Sequence, residues 1–299
     1  MIEQQVPRAG IRISVQSLGV QSAPPLLLLA GNGCSSVYWP DRFCAPLVDA
    51  GFRVLRFDYR DTGDSTHRAF DENPYDLDDL AQDVLCILEA FDVPRVHLVG
   101  LSMGGFLAQR LAIDCPERVL TLTSLLSTSD YAAMLHPFSG GEPPTSNLPP
   151  PSARWLAELA QLPGDLSHTD LLVESWRLAS GSKADFDPIY WRQLLGDAAR
   201  RGDDSLAGDA HRSACLRSAR LNLLSELPKL SVPSLFIGGS EDPIFPPGHA
   251  EASATATPGG RALQVEGLGH ALEPSFFSEL ANAIVQNARA SREDSFGPA

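Results

Sequence analysis

The chain has 299 residues, with 23 lysines and arginines against 37 aspartates and glutamates, giving a formal net charge of −14. That charge, with no Lys/Arg run to form a local basic groove, argues against a phosphate-binding surface and for an acidic protein without a nucleic-acid partner. A composition of 43% hydrophobic and 20% charged residues fits a globular core, and the length suits one large domain or one domain carrying a sizeable insertion.

The first eight residues, Met1 to Arg8, lack a basic start followed by an apolar stretch, so no signal peptide is expected. Residues 11–18 read as a first strand or hairpin arm. Leu26 to Ala30 is a continuous apolar run, the pattern of a strand buried on both faces. It is strand-sized and is the longest such run, far below the ~20 residues of a membrane helix, so no membrane partner is expected. Phe52 to Asp58 reads as the next strand. Residues 76–91 place Leu77, Leu80, Ala81, Val84, Leu88 and Phe91 on one helical stripe. Asp76, Asp78 and Asp79 crowd its first turn, where the helix dipole favours negative charge; they read as a cap rather than a metal site.

Val96 to Gly100 is the next strand, 103–113 a helix, and Leu120 to Leu126 another strand. The stretch 129–229 then breaks the alternation. It opens with Pro137, Pro143, Pro144, Pro149, Pro150 and Pro151, and continues as helical pieces around 152–161, 168–180, 186–200 and 205–226, with Trp155, Trp176 and Trp191. Strands return at Val232–Gly238 and Arg261–Val265, a helix follows at 275–290, and the polar residues from about Ser291 read as frayed. Short apolar runs alternating with helices predict an α/β fold: a mostly parallel sheet flanked by helices. The expected division is a core of residues 1–128 and 230–299 with a helical cap at 129–229, lying over the carboxyl ends of the strands, where such sheets bind ligands. Five scattered cysteines (Cys34, Cys44, Cys86, Cys115 and Cys215), with no export signal, are expected to be reduced thiols of a cytoplasmic protein.

Gly100-Leu101-Ser102-Met103-Gly104 carries the strongest chemical signal, because it follows a strand and precedes a helix. A serine lifted on such a tight turn needs glycines beside it so that neighbouring chain can approach. The helix start puts amide N–H groups where an oxyanion would form. A serine hydroxyl also needs a base, which on this arrangement comes last in the chain with an acid before it. His270, in Gly267-Leu268-Gly269-His270 after the last strand, is the one histidine of seven placed for that task. His97 reads as a core residue, and His67, His136, His168, His211 and His249 as surface groups of loops or of the insertion. The acid is assigned to Asp242, in the loop after strand 232–238, because Pro243 stiffens its turn; Glu241 and Asp130 are the rivals.

Ala30-Gly31-Asn32-Gly33-Cys34 is the first strand–helix loop, and the backbone N–H groups of Asn32 and Met103 are assigned to an oxyanion hole. A dinucleotide fingerprint fails there, because Ser36 stands at the third glycine and Tyr38-Trp39-Pro40 is a poor helix start. Cys34 has no obvious base beside it and reads as packing. His211 and Cys215, at i and i+4, could touch one metal ion but lack a third ligand.

Together these residues resemble the α/β-hydrolase superfamily over almost the whole chain. Asp58-Tyr59-Arg60-Asp61-Thr62-Gly63-Asp64-Ser65 looks like its D-x-R-G-x-G-x-S loop, departing at Asp61-Thr62, and Pro116-Glu117-Arg118-Val119 is a further match. Gly31-Asn32-Gly33, Tyr38 to Phe43, Arg60-Asp61-Thr62-Gly63 and Gly269-His270-Ala271-Leu272 look like the aclacinomycin methylesterase group, with Asn32 where a second glycine is typical. That group removes the methyl of a carboxymethyl ester from aromatic polyketides. The resemblance implies a serine ester hydrolase with the triad Ser102, Asp242 and His270, a small-molecule ester as partner, and no metal or organic cofactor. Hydrolysis of a lactone or carbon–carbon bond, peracid formation, or ligand binding with little turnover are the alternatives the same residues leave open.

Overall fold

The computed structural model describes residues 1–139, 146–203 and 207–293. Leu26–Leu29 are completely buried because β3 (Pro25–Leu29) lies inside the sheet, between β4 (Arg53–Phe57) and β5 (Val96–Leu101). With β1 (Ile2–Arg8), β2 (Ile11–Leu18), β6 (Val119–Leu125), β7 (Ser234–Gly239) and β8 (Arg261–Val265), the sheet order is β1-β2-β4-β3-β5-β6-β7-β8. The two N-terminal strands pair antiparallel, and from β4 to β8 every neighbour is parallel. β1 was not expected: only Val6 of its seven residues is buried, so it has no apolar signature, and β2 alone holds it in the sheet.

Helices cover both faces. In β6, Ser124 Oγ accepts from Gln109 of α3 (Met103–Asp114), whereas Thr123 Oγ1 accepts from Asn287 of α10 (Phe277–Glu293). Consecutive strand residues project to opposite faces, so α3 and α10 flank the sheet on opposite sides. α1 (Asp41–Asp49) packs beside α10, and α2 (Leu77–Ala90) beside α3. The acidic first turn of α2 is a capping box: Asp76 accepts from the Asp78 and Asp79 N–H groups, and Asp79 accepts from the Asp76 N–H. α1 was missed because two prolines, Pro40 before it and Pro46 within it, obscure its pattern.

Between β6 and β7 lie α4 (Tyr131–Ser139), α5 (Ala153–Ala160), α6 (His168–Ala179), α7 (Pro188–Arg200) and α8 (Ala207–Arg217). Pro143 and Pro144 lie outside the described residues, as do 205–206 of the expected last helix and the terminus from residue 294. That helix also ends earlier than expected. Residues 221–223 are extended instead: Tyr131 N–H donates to Leu221 O and Leu223 N–H to Ser129 O, both at 2.7 Å, closing a neck where the chain leaves and re-enters the sheet. α9 (His249–Ala256), with no apolar stripe to announce it, follows β7. Among the described residues no helix is long and apolar enough to cross a membrane.

Candidate active site

Ser102 sits between the end of β5 and the start of α3 with φ +55° and ψ −119°, a region that L residues rarely occupy. The turn is possible only because its neighbours lack side chains. A Cβ on Gly100 would lie 2.1 Å from Gly104 O, and one on Gly104 would lie 2.4 Å from both Leu29 O and Ala30 O. Two hydrogen bonds brace it: Ser102 N–H to Leu125 O at 2.9 Å, and Ser127 Oγ–H to Ser102 O at 2.6 Å.

His270 reaches the serine from the loop after β8, with Nε2 3.1 Å from Ser102 Oγ. Its Nδ1 is 2.8 Å from Asp242 Oδ2. Asp242 is held by its own turn, since Oδ1 accepts from the Ile244 and Phe245 N–H groups at 2.8 and 2.9 Å, leaving Oδ2 for the imidazole. A carboxylate only accepts, which puts the proton on Nδ1 and the lone pair of Nε2 toward the serine hydroxyl. His270 and Asp242 are 5% and 2% exposed, so water barely competes for these bonds. The loop is also tied to the insertion, with His270 N–H donating to Ala179 O at 2.7 Å. The rivals lie elsewhere: Glu241 is exposed and accepts from Ser182, and Asp130 Oδ1 accepts from Ala132 N–H.

The Gly31–Gly33 loop runs against the serine, and a Cβ on Gly31 would be 3.4 Å from Ser102 Cβ. Met103 opens α3, where a backbone N–H has no intrahelical acceptor. Among the described residues neither Asn32 N–H nor Met103 N–H has an acceptor, so both donors are available beside Ser102. A cavity of about 180 Å³ opens over Ser102, His270 and Asn32, walled by Tyr38, Tyr131, Trp176, Trp191 and Leu272. It shares Asn32, Tyr38 and Trp176 with an outer chamber of about 300 Å³ that reaches Trp155, His168 and Asp203. Trp176 and Trp191 stack at 4.9 Å with 14° between ring planes.

Cys34 is buried beside the cavity; burial, and then the nearby Asp203 carboxylate, push its thiol far above the ordinary range, so it is not a thiolate nucleophile. Two sequence readings need correction. His211 and His249 are not surface groups but 0% and 3% exposed, and burial lowers the proton affinity of both. Both ring nitrogens of His211 face backbone groups, Gly33 N and Arg60 O, and Cys215 is a buried thiol. Among the described residues no group of three or more His, Cys, Asp or Glu is arranged around a metal position. One residue the sequence did not single out is Glu273. It is 1% exposed, and its Oε1 accepts from Trp191 Nε1 at 2.9 Å and from Ser180 Oγ at 2.8 Å.

Comparison with known proteins identifies the family. The sequence model of the alpha/beta hydrolase fold matches residues 24–272. The chain is 38% identical over 285 residues to the rhodomycin D methylesterase of Streptomyces peucetius, covering 92% of this chain and 94% of that one. It is 36% identical over 300 residues to the rhodomycin D methylesterase of Streptomyces sp. strain C5, covering 97% and 99%. The enol-lactonase of Burkholderia xenovorans superposes with a TM-score of 0.72 at 20% identity, over 95% of this chain and 99% of that one, a likeness of fold. The chain therefore belongs to the α/β-hydrolase family and, within it, to the group that holds the rhodomycin D methylesterases.

Proposed function

We propose that this protein is a serine carboxylic-ester hydrolase that removes a small alcohol, methanol above all, from a bulky aromatic, polyketide-like acid. The observation that carries the reading is the hydrogen-bonded chain Asp242–His270–Ser102 ending beside two unengaged N–H groups. Ser102 Oγ attacks the ester carbonyl while His270 Nε2 takes its proton. Asp242 holds the imidazole in the correct tautomer and stabilises its cation. The oxyanion of the tetrahedral intermediate accepts from Asn32 N–H and Met103 N–H, whose directions are set before the substrate arrives. Collapse expels the alcohol, which leaves with the proton from His270. Water, deprotonated by the same imidazole, then cleaves the acyl-enzyme and frees Ser102.

Two observations support the substrate class. The cavity wall nearest Ser102 is apolar and aromatic, with the Trp176–Trp191 stack offering a flat face to a fused-ring acid. The relatives that match over nearly their full length are named as methylesterases. On this reading residues 129–229 act as the cap that selects the acid, and the five free, scattered cysteines fit work in the cytoplasm. The test is a panel of esters compared by kcat/KM. Methyl esters of large ring systems should lead, and a preference for long-chain acyl esters would overturn the assignment.

A further inference from the structure

His211 of α8 is completely buried and does not itself line the cavity over Ser102. Its Nε2 lies 3.0 Å from the Arg60 carbonyl oxygen. A carbonyl only accepts, so Nε2 carries the proton and Nδ1 presents a lone pair. Into that lone pair, at 3.0 Å, points the N–H of Gly33. Burial lowers the proton affinity of the ring; the Arg60 carbonyl and the Asp61 carboxylate oppose this, and the Arg60 guanidinium adds to it. The rings of Tyr59 and Tyr75 face it edge-on, and Cys215 stands one turn further along α8. From the same helix Gly208 O accepts from Asn32 Nδ2 at 3.2 Å. Asp203, just before it in the chain, takes the N–H groups of Gly63 at 2.6 Å and Ser35 at 3.4 Å. One short stretch of the insertion thus grips the Gly31–Ser35 loop at three places.

We propose that His211 is a positioning residue for ester hydrolysis, fixing through Gly33 the direction in which Asn32 N–H meets the developing oxyanion. This rests on the reading of Ser102 as nucleophile with Asn32 N–H as an oxyanion donor. Gly33 sits at φ +67°, a flexible point where the loop could otherwise swing. His211 holds the peptide on one side of Asn32, and Gly208 holds its side chain. An oxyanion donor acts only when aimed at the place where charge develops, so a small rotation of this loop costs rate rather than substrate affinity. Because the clamp belongs to the insertion, the donor set is complete only with α8 seated on the loop.

The experiment compares His211→Asn with His211→Gln. Asn can place an amide oxygen near the Nδ1 position and keep an acceptor for Gly33, whereas the longer Gln places its amide near the Nε2 position and leaves Gly33 N–H unpaired. The expected result is a Gln variant with kcat reduced about 10- to 100-fold at unchanged KM, and an Asn variant close to wild type. A boronic acid that mimics the tetrahedral intermediate should lose affinity for the Gln variant in parallel, while the product acid binds as before. Equal rates in both variants, equal losses in both, or a loss confined to KM would overturn the proposal. Should neither variant fold, the imidazole nitrogen shifts of the wild type decide, and a proton on Nδ1 of His211 would overturn it. Fluorophosphonate labelling of wild-type Ser102 keeps the two claims apart. An unlabelled Ser102 defeats the hydrolase reading, whereas a labelled enzyme insensitive to His211→Gln defeats only the clamp.

Discussion

Trp191 donates its indole N–H to Glu273 Oε1 across 2.9 Å, joining an aromatic wall of the cavity to the segment that carries His270 three residues earlier. Glu273 Oε2 is buried without a partner among the described residues, and burial lifts this carboxyl above the ordinary carboxylate range.

The folded protein therefore holds a proton on Glu273 at pH values where the unfolded chain has released it. The residue's contribution to stability is full below the unfolded pKa, about 4.3, and is lost as the pH rises through the folded value. Glu273→Gln removes that dependence. The variant should melt above wild type at pH 8, by roughly 1 kcal/mol or on the order of 2 °C, with the gap closing toward pH 4. Calorimetry across this range checks it, and a variant that melts lower at pH 8 would mean the charge is needed.

The acid of the relay can be told apart by two substitutions. Asp242→Asn should lower kcat by about 10⁴-fold, because the imidazole loses its tautomer and orientation. Asp130→Asn should leave turnover largely intact, since its carboxylate answers Ala132 N–H and not His270. Steady-state rates of the two variants settle the assignment, and a crippled Asp130→Asn beside an active Asp242→Asn would reverse it.

The aromatic wall should act on choice of substrate. Trp176→Ala takes one ring from the cavity wall and should cost about 2- to 10-fold in kcat/KM on a methyl ester of a fused-ring acid, the loss expected for one substrate–ring contact worth roughly 0.5–1.5 kcal/mol. The rate on nitrophenyl acetate should change less. Equal losses on both esters would make the wall a structural cover.

The elbow glycines make a stability prediction. Gly104→Ala drives a methyl into two carbonyl oxygens of the neighbouring strand end, so it should destabilise by about 1–3 kcal/mol or more and reduce soluble yield. A variant with a wild-type melting curve would mean the turn relaxes freely.

Sequence patterns exposed the elements whose burial is complete and continuous. Leu26–Leu29 and Val96–Gly100 read as inner strands because both faces are covered. β1 and α9 escaped notice, the one mostly exposed and the other a run of small residues without a stripe. Residues 221–223 carry helix-like composition but are pulled straight by pairing with 129–131, a tertiary contact no local pattern reports. In the site, Ser102, Asp242 and His270 were legible because each follows a strand and the turn chemistry around it is local. His211 and Glu273 were not, since their partners stand 178 and 82 positions away and, for His211, are backbone atoms.

The central claim is that Ser102 is the nucleophile, and the direct measurement is ester turnover by Ser102→Ala beside wild type, with a fluorophosphonate-labelled site mapped by mass spectrometry. The account predicts a variant with an unchanged melting temperature whose kcat/KM has fallen by at least about 10⁴-fold, and a wild type labelled on Ser102 alone. A Ser102→Ala protein that keeps most of its activity, or a label carried by another residue, would contradict it.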